Sequence, residues 1–271
     1  MFEWVLKTGN GVAYYTIERW LEEGVDMAFS NRAGGLSGGA FTSANMGLHV
    51  EDEPEKVTGN REKFLANFGL KLGQAVCCRQ VHGDNVVMVS EQQRGLGAYL
   101  YDTSLPDCDG MVTDRIGVAL LSFYADCLPV YLFDPGRRVI GMAHSGWKGT
   151  MLGIAAKTAA LMGQAFGSQP RNMWAAVGPG IGNCCFEISP SLANQVESNF
   201  PGSDHILRHE AGRFTWDLAL TIRRTLLQAG LRDENICVCS ECTACHPDTF
   251  FSYRRDRGKT GRMGALLNLR D

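Results

Sequence analysis

Residues 118–134 (VALLSFYADCLPVYLFD) and 139–145 (VIGMAHS), joined by the turn sequence DPGRR at 134–138, decide the fold of this chain. Both segments are apolar at consecutive positions over most of their length. Continuous apolar runs bounded by turn formers are typical of buried strands. The centre of the chain therefore predicts strands that lie inside a hydrophobic core.

The segments around this centre predict further strands and several helices. Strands are predicted at VAYYTIE (12–18), VDMAFSN (25–31), MWAAVGP (173–179), NICVCS (235–240) and GALLNL (264–269). Helices are predicted over 54–68, over 151–165, near 190–199 and over 216–229, the last with Asp217 as its N-cap. Because strands and helices mix without strict alternation, we expect an α/β fold of mixed α+β layers. The absence of linkers and repeats predicts a single domain over residues 1–271.

Composition narrows the class of protein. Of the 271 residues, 45% are hydrophobic and 20% are charged, which suits a packed core. The formal net charge of −3 argues against a broad nucleic-acid-binding surface. No apolar stretch approaches the roughly 20 residues of a membrane helix, and MFEWVLKTGNG at the N-terminus lacks the pattern of a secretory signal. With ten cysteines and no export signal, the sequence predicts a cytoplasmic protein with reduced thiols and no nucleic-acid or membrane partner; it indicates no oligomeric state.

Three residues at or just beyond strand-like runs are candidates for chemistry. His82 lies in RQVHGDN, Cys127 in YADCLPV and His144 in GMAHSGWKG. Two imidazoles and one thiolate can bind Zn²⁺ and leave a fourth position open, as catalytic zinc sites do. Taken singly, each residue is more often structural, and local spacing does not join them. The glycines of HSGWKG also predict a helix start whose amide groups hold an anion.

Other cysteines and several arginines form rival candidate sites. Within ten residues near the C-terminus lie Cys237, Cys239, Cys242, Cys245 and His246, which we interpret as packed thiols, with metal binding by some of them left open. The adjacent pair Cys184–Cys185 is interpreted as structural. Arg32 in NRAGG and the basic stretch FFSYRRDRGKTGR (250–262) offer guanidinium groups for an anion. GPGIGN at 178–183 lacks the third glycine of a dinucleotide fingerprint, so we reject that interpretation.

Motifs along nearly the whole chain carry a family resemblance. In order they are NRAGGLS (31–37), NMGLHVED (45–52), RQVHG (79–83), DCDGMVTD (107–114), ADCLPV (125–130), AHSGWKG (143–149), GPGIG (178–182), FEI (186–188), CT (242–243), FFSYRRD (250–256) and TGRMG (260–264). On these motifs the chain resembles the YfiH/YlmD family, whose members carry laccase-domain or polyphenol-oxidase names and are interpreted as purine nucleoside phosphorylases.

The resemblance implies a fold, a metal and an activity. The fold would be a YfiH-like sandwich related in architecture to toxin cysteine deamidases. One Zn²⁺ would be held by His82, Cys127 and His144, with copper as the alternative metal. The implied reaction is phosphorolysis of adenosine, inosine, guanosine and S-methyl-5′-thioadenosine, with adenosine deamination as a further activity. Purine nucleosides and phosphate are therefore the expected partners.

Two features of this sequence depart from the family pattern, and a third concerns the laccase name. Lys148 stands where the family motif usually has arginine, and Cys184, Cys185 and Cys245 lie outside the pattern and receive no role. The chain has six histidines and no His-x-His pair, too few imidazoles for the four coppers of a multicopper oxidase. One metal with three protein ligands is compatible with this composition.

Residues around the trio are expected to serve the substrate, and two other functions stay open. Arg32 and Lys148 are candidates to complete a phosphate pocket. Asp126 and Asp109 are acid/base candidates, although for Asp126 we slightly favour a carboxylate that orients a ligating histidine. One alternative makes Cys127 the nucleophile and His144 the base of a Cys-His hydrolase or deamidase. The other is a non-catalytic metal or thiol sensor that uses Cys237–Cys245.

Overall fold

The computed structural model describes residues 3–8 and 11–271. The other four positions lie outside the described residues, and they belong to the N-terminal segment that lacks the pattern of a secretory signal. The strands are β1 (Val5–Lys7), β2 (Tyr14–Thr16), β3 (Val25–Ser30), β4 (Ala75–Cys77), β5 (Val86–Met88), β6 (Gly110–Thr113), β7 (Ala119–Tyr124), β8 (Leu128–Asp134), β9 (Val139–Ser145), β10 (Trp174–Val177), β11 (Glu187–Ile188), β12 (Leu207–Glu210), β13 (Arg213–Trp216), β14 (Ile236–Val238) and β15 (Met263–Leu269). The helices are α1 (Glu18–Glu22), α2 (Pro54–Ala66), α3 (Trp147–Met151), α4 (Ile154–Phe166), α5 (Pro190–Asn199) and α6 (Leu218–Gln228).

Two six-stranded sheets form the centre of the molecule. The first has the strand order β1-β2-β3-β15-β7-β4 and the second the order β14-β10-β8-β9-β6-β5, while β11, β13 and β12 form a small third sheet. The two large sheets face each other, and the hydroxyl of Tyr131 in the second donates to the carbonyl of Ala28 in the first, at 3.0 Å. The result is a mixed α/β sandwich, which confirms the predicted fold class in its coarse form.

Side-chain alternation explains why the central strands are apolar at consecutive positions. On β8, Tyr131 and Phe133 point between the sheets, whereas Val130 and Leu132 belong to the outer cluster that also contains residues of α4, α5 and α6. On the other sheet, outward residues of β7 such as Leu121 pack with residues of α2. Successive strand residues point to opposite faces, so a strand covered on both faces needs apolar residues throughout.

The apolar run at 118–134 is two strands that belong to different sheets. β7 ends at Tyr124 in the first sheet and β8 begins at Leu128 in the second. Between them Asp126 adopts a left-handed backbone conformation with φ of 84°. The chain therefore crosses from one sheet to the other at Ala125–Cys127, and this crossing brings Cys127 to one end of the sandwich.

The predicted helices are present, but α1 was not predicted and begins at Glu18, inside the segment 12–18 predicted as a strand. Asp217 caps α6, since its side chain accepts from the amide of Leu220 at 2.8 Å. The helix predicted over 151–165 is instead two helices, α3 and α4, because Gly153 lies between them with a φ of 73°. A left-handed residue cannot continue a right-handed helix, and glycine adopts that conformation without steric cost.

Within 3–8 and 11–271, no helix combines the length and apolar character needed to cross a membrane.

Two further expectations concern the chain as a whole. The interpretation of residues 1–271 as one catalytic domain stays a prediction, as does the architectural relation to toxin cysteine deamidases.

Candidate metal centre and its cavity

Cys127 sits where the chain passes between the sheets, and a glycine makes room for its sulfur. Strand pairing places Leu128 opposite Ser145, so Cys127 lies beside Gly146. A Cβ at position 146 would come within 2.7 Å of the Cys127 Sγ and 3.2 Å of the His82 ring. The glycine of the HSGW motif is therefore required by the close packing of the sulfur and the imidazole against the backbone.

His144 is oriented by Asp109. It lies on β9 and is 4% exposed, and its Nδ1 is 2.8 Å from the Asp109 Oδ1. Its amide also donates to the Asp109 carbonyl at 2.7 Å. With Nδ1 held by a carboxylate, the Nε2 is left to bind a metal, an arrangement common among metal-ligating histidines.

His82 is held by the same carboxylate through the backbone. Asp109 accepts hydrogen bonds from the amides of Val81, His82 and Gly83 at 3.1, 3.0 and 2.7 Å. His82 itself has a left-handed φ of 60°, a conformation that needs local support in a residue other than glycine. Burial would raise the pKa of Asp109, but the hydrogen bonds from His144 and these amides outweigh burial and lower it.

The three predicted ligands converge. The donor atoms of His82, Cys127 and His144 all lie within 4.8 Å of one another, and the two imidazole rings meet edge to face with centroids 4.8 Å apart. Burial would raise the pKa of Cys127, but the two imidazoles lower it to about 6. Burial would lower the pKa of His144, but the Cys127 thiolate and Asp109 raise it to about 9.

This donor set fits a zinc ion. Zinc bonds of about 2.0–2.1 Å to nitrogen and about 2.3 Å to sulfur place two nitrogens and one sulfur about 3.4–3.6 Å apart in a tetrahedral site, which small side-chain adjustments reach from the observed spacing. The lowered pKa of Cys127 favours the thiolate that a metal requires. The three side chains would hold one ion, and its fourth position would face the cavity described next.

A cavity of about 560 Å³ opens beside the three donors. Its walls combine aromatic and apolar side chains with titratable and cationic ones. The aromatic and apolar lining residues include Tyr101, Phe123, Trp147, Ile181, Phe186, Leu218 and Tyr253. The cationic side chains that reach it are Lys148, Arg254 and Arg262. This volume and composition are typical of a small-molecule site.

Asp126 lines the cavity, but its carboxylate does not orient a ligating histidine, contrary to the interpretation we favoured. It accepts from the Thr243 hydroxyl and the Arg254 amide, both at 2.7 Å. The amide of Ile181 donates to its carbonyl at 2.8 Å. Asp126 therefore joins the crossing segment to the loops at 181, 243 and 254, while Asp109 performs the orienting role.

Arg32 is not at the cavity, so its predicted place in the phosphate pocket is wrong in this structure. Its guanidinium donates to the carbonyls of Thr42, at 2.7 and 3.1 Å, and Pro247, at 2.8 Å, and stacks on Phe251. These contacts use the guanidinium to join the 31–43 loop to the C-terminal region. Lys148 does line the cavity, at its exposed side, on a helix of only five residues.

Arg262, which belongs to the basic stretch offered for an anion, lines the cavity, and so does His49, which the sequence analysis did not assign. Arg262 donates to the carbonyls of Thr260 and Gly261 at 2.8 and 3.0 Å. Desolvation, together with the charges of Arg262 and Arg61, lowers the pKa of His49 to about 4. His49 is therefore a neutral imidazole at pH 7. Both residues lie in motifs quoted above, NMGLHVED and TGRMG. A titratable or cationic side chain inside such a motif is a sequence signal for a residue of the site.

The cysteines near the C-terminus divide into two groups. Cys237 and Cys239 are buried at and beyond β14, as the interpretation of packed thiols requires. Cys242 and Cys245 instead approach Cys184 and Cys185. His246 pairs with Glu241 at 3.1 Å and is not a member of that group.

Comparison with known proteins assigns the chain to a laccase-like family. The family model described as multi-copper polyphenol oxidoreductase laccase matches residues 26–270, and the chain belongs to this family. Within it the chain is similar to YlmD: a crystal structure of YlmD from Geobacillus stearothermophilus has a TM-score of 0.94 at 35% identity, covering 99% of this chain and 100% of that chain. The YfiH/YlmD resemblance is thereby confirmed.

Relatives from other organisms are similar over most of their length. Purine nucleoside phosphorylase YlmD from Geobacillus stearothermophilus is 37% identical over 250 residues, which are 92% of this chain and 91% of the relative. A purine nucleoside phosphorylase from Deinococcus radiodurans is 37% identical over 245 residues, which are 90% and 89%. The crystal structure of Neisseria meningitidis protein NMB0706 has a TM-score of 0.80 at 31% identity and covers 99% of both chains.

Proposed function

We propose that this protein is a zinc-dependent purine nucleoside phosphorylase. Its substrates would be phosphate and adenosine, inosine, guanosine or S-methyl-5′-thioadenosine, and its products the free base and the ribose 1-phosphate or its methylthio analogue. The observation that carries the proposal is the convergence of His82, Cys127 and His144 at one wall of a cavity of about 560 Å³. The names of the relatives agree with this activity.

The reaction requires an anion pocket beside the ribose. Phosphate attacks C1′ while the bond from C1′ to the base nitrogen breaks, so positive charge develops on the sugar and negative charge on the departing base. Arg262 and Lys148 reach the cavity from different segments. Their charges would hold the phosphate and keep its oxygens directed at C1′, since positioning of two reactants contributes a large part of such rate enhancements.

The base requires an apolar wall and a hydrogen-bond donor. The aromatic rings of Tyr101 and Phe123 lie against His49, with centroids 5.7 and 6.3 Å from its imidazole. A purine can stack on such a wall. His49 is our candidate to donate a hydrogen bond to the departing base, because a neutral imidazole always carries one N–H group and its lowered pKa keeps it neutral at pH 7.

A zinc ion bound by the trio would supply Lewis-acid stabilisation of negative charge at the open side of the centre. Asp109 would hold His144 and the 81–83 backbone in place for that ion. The same centre is our basis for proposing adenosine deamination as the further activity, with the purine ring turned so that C6 faces the donors. Copper is the alternative metal, because imidazole and thiolate groups also bind copper.

The decisive test combines metal analysis with phosphate-dependent release of adenine from adenosine. We expect adenine release only in the presence of phosphate, and its loss together with the trio's zinc in Cys127→Ala. The matched control is Cys239→Ala, which removes a buried thiol remote from the trio and should keep both signals. Adenine release that needs no phosphate, or a fully active metal-free protein, would contradict the proposal. Formation of inosine from adenosine measures the deaminase activity in the same samples.

A Cys-His hydrolase is the second candidate, and the lowered pKa of Cys127 favours it. A thiol with a pKa of about 6 beside His144 is a nucleophile at neutral pH. The two functions differ in their response to a chelator, which should inactivate the zinc enzyme and activate or spare the thiol hydrolase. The third candidate, a metal or thiol sensor acting through Cys237–Cys245, requires these cysteines to act together, and in the described residues they belong to two separate groups.

Cytoplasmic localisation is part of this proposal. A chain with reduced thiols at a metal centre needs a reducing compartment to keep them available.

A further inference from the structure

Four cysteines from two distant parts of the sequence converge on the surface beside the cavity wall. The sulfur atoms of Cys184, Cys185, Cys242 and Cys245 all lie within 4.8 Å of one another. The Cys245 Sγ is 3.6 Å from the Cys184 Sγ and 3.4 Å from the Cys185 Sγ. We propose that these four side chains, called the four-thiol cluster below, bind a second zinc ion that is structural and separate from the His82–Cys127–His144 centre.

The spacing of the sulfur atoms fits tetrahedral coordination. Zn–S bonds of about 2.3 Å place the four sulfurs of a tetrahedral site about 3.8 Å apart. The separations of the Cys245 Sγ from the Cys185 and Cys184 Sγ atoms, 3.4 and 3.6 Å, lie close to this value. Sites with four cysteine ligands and no open position are structural rather than catalytic.

Packing of apolar thiols does not explain the cluster. Cys184 and Cys245 are exposed and Cys185 is half-buried, whereas only Cys242 is buried. A reduced cysteine is stabilised by burial as a small apolar group, so exposed thiols have no such reason to meet. The contrast with Cys239, which is 8% exposed, separates the four-thiol cluster from ordinary buried cysteines of the same chain.

The backbone around Cys242 suits a metal-bound thiolate. The amide of Gly182 donates to the Cys242 Sγ at 3.2 Å. A Cβ at position 182 would stand 3.2 Å from the Cys184 Sγ and 3.5 Å from the Cys242 Sγ, so the glycine permits this close approach. Each pair of cysteines lies on a turn closed by a backbone hydrogen bond, from Cys185 to the Gly182 carbonyl and from Cys245 to the Cys242 carbonyl, at 3.0 and 3.2 Å.

Two arginines contact the turns that carry the ligands, and one of them, Arg255, also pairs with Asp256. Zinc binding releases the thiol protons, and a zinc ion with four thiolates has a net charge of −2. Arg255 donates to the carbonyl of Thr243 at 2.9 Å, inside one of the two turns. Arg254 donates to the carbonyl of Glu187 at 3.0 Å, next to the other. Two guanidinium groups are therefore bound to the backbone segments that carry the ligands.

The position of the cluster defines what the second ion would do. The two turns pair through Gly180 and Cys242, and Ile181 and Phe186 of the first turn region line the cavity. Asp126, next to the ligand Cys127, is joined to Ile181 and Thr243. The ion would fasten two loops that have no helix or long strand of their own, and would thereby hold the cavity wall and the crossing segment in place.

Zinc content of the intact protein tests the proposal. Protein purified under reducing conditions, incubated with Zn²⁺ and freed of excess metal should hold two zinc ions per chain. The double variant Cys184→Ser/Cys245→Ser should hold one, as should Cys127→Ala. Cys239→Ala should hold two, since Cys239 has the same Cys-x-x-Cys spacing to Cys242 but lies outside the cluster. One zinc in the wild type, or unchanged zinc content in the double variant, would overturn the proposal.

A spectroscopic measurement on the wild type covers the case in which the double variant does not fold. Metal-depleted protein titrated with Co²⁺ should show the intense sulfur-to-cobalt charge-transfer and ligand-field bands of a tetrahedral four-sulfur site, besides the weaker signal of a centre with one sulfur. Two results would refute the second site. One is a spectrum with the bands of the one-sulfur centre alone, and the other is a disulfide from Cys245 to Cys184 or Cys185, detected by mass spectrometry in protein purified under reducing conditions. Neither readout depends on the proposed phosphorolysis.

Discussion

The carboxylate of Asp109 holds both histidines of the candidate metal centre. It accepts from the imidazole of His144 at 2.8 Å and from the amides on either side of the His82 backbone position, Val81 and Gly83. We predict that Asp109→Asn lowers zinc affinity or kcat/KM about 10–100-fold, the range for loss of a carboxylate behind a ligating histidine. An amide offers one acceptor oxygen and places N–H donors against the donors already present.

Zinc affinity by competition with a chelator, together with kcat/KM, measures this effect. The matched control is Asp114→Asn in the same motif, since the Asp114 carboxylate pairs with its sequence neighbour Arg115 on the surface. Equal zinc affinity in wild type and Asp109→Asn would show that the carboxylate does not position the ligands.

A methyl group at position 146 should displace the sulfur. Because a Cβ there would be 2.7 Å from the Cys127 Sγ, we expect Gly146→Ala to lower zinc affinity at least tenfold while the chain still folds. Gly38→Ala is the control, as a Cβ at Gly38 meets nothing within 4 Å. Zinc titration and circular dichroism follow the two properties separately, and unchanged affinity in Gly146→Ala would show that the backbone can move away.

The anion pocket should depend on Arg262 and not on Arg32. Hydrogen bonds to charged groups contribute about 1.5–3 kcal/mol, so we predict that Arg262→Ala raises the KM for phosphate at least tenfold. Arg32→Ala should lower the melting temperature, because it removes contacts to Thr42 and Pro247, but leave the KM for phosphate unchanged. Initial rates at varied phosphate test both variants, and the reverse pattern would restore the original assignment of Arg32.

The candidate hydrogen-bond donor to the base gives a prediction for kcat. Loss of a group that assists proton transfer or charge development typically costs 10²–10⁴-fold, and we expect His49→Ala to lower kcat by at least a hundredfold, about the lower end of that range. His246→Ala, which alters a surface pair with Glu241, should leave it unchanged. Since the pKa of His49 is about 4, its titration should not limit activity above about pH 5. An unaffected kcat in His49→Ala would remove this residue from the mechanism.

The metal-free protein should show the coupled titration of Cys127 and His144. With its pKa lowered to about 6, Cys127 should be alkylated by iodoacetamide half-maximally near pH 6, rather than near the ordinary value of about 8.5. The stabilisation from this thiolate is lost as pH falls through about 6. The stabilisation from His144⁺ is lost as pH rises through its pKa of about 9. Metal-free protein should therefore be most stable between these limits.

Peptide mapping by mass spectrometry separates Cys127 from the other thiols in that experiment. Zn²⁺ should protect Cys127 from alkylation at pH 7 and above, where the ligands are deprotonated, and Cys127→Ser should flatten the pH dependence of the melting temperature. Alkylation of Cys127 with a midpoint near 8.5 would contradict the thiolate–imidazolium pair.

Sequence patterns predicted the long central strands, the longer helices and the three metal-binding candidates, but not α1 or the short strands β1, β5, β6 and β11–β13. Continuous apolar runs correctly predicted that the central strands are buried, and the family motifs indicated His82, Cys127 and His144 as metal ligands. The sheet change within 118–134 was not predictable, because neither glycine nor proline marks Ala125–Cys127 and the left-handed Asp126 has no local signal. The roles of Asp109 and Asp126 depend on partners far away in the sequence, so they were visible only in the fold.

The same reason explains the errors with charged residues and thiols. Arg32 looked available for an anion because its partners, the carbonyls of Thr42 and Pro247, carry no side-chain signal. The four-thiol cluster joins residues 60 and 61 positions apart, and the sequence analysis weighed its two halves separately. The Cys-x-x-Cys spacing of Cys242 and Cys245 indicates a ligand pair, but Cys239 and Cys242 have the same spacing, so spacing alone does not identify the members of the cluster.

The chain passes between the two sheets at the segment that carries Cys127, while His82 follows β4 of the first sheet and His144 lies on β9 of the second. Neither sheet alone carries a complete set of donors. An ion at this centre would link the two sheets, so its release under denaturant should mark their first separation, before the strands themselves unfold.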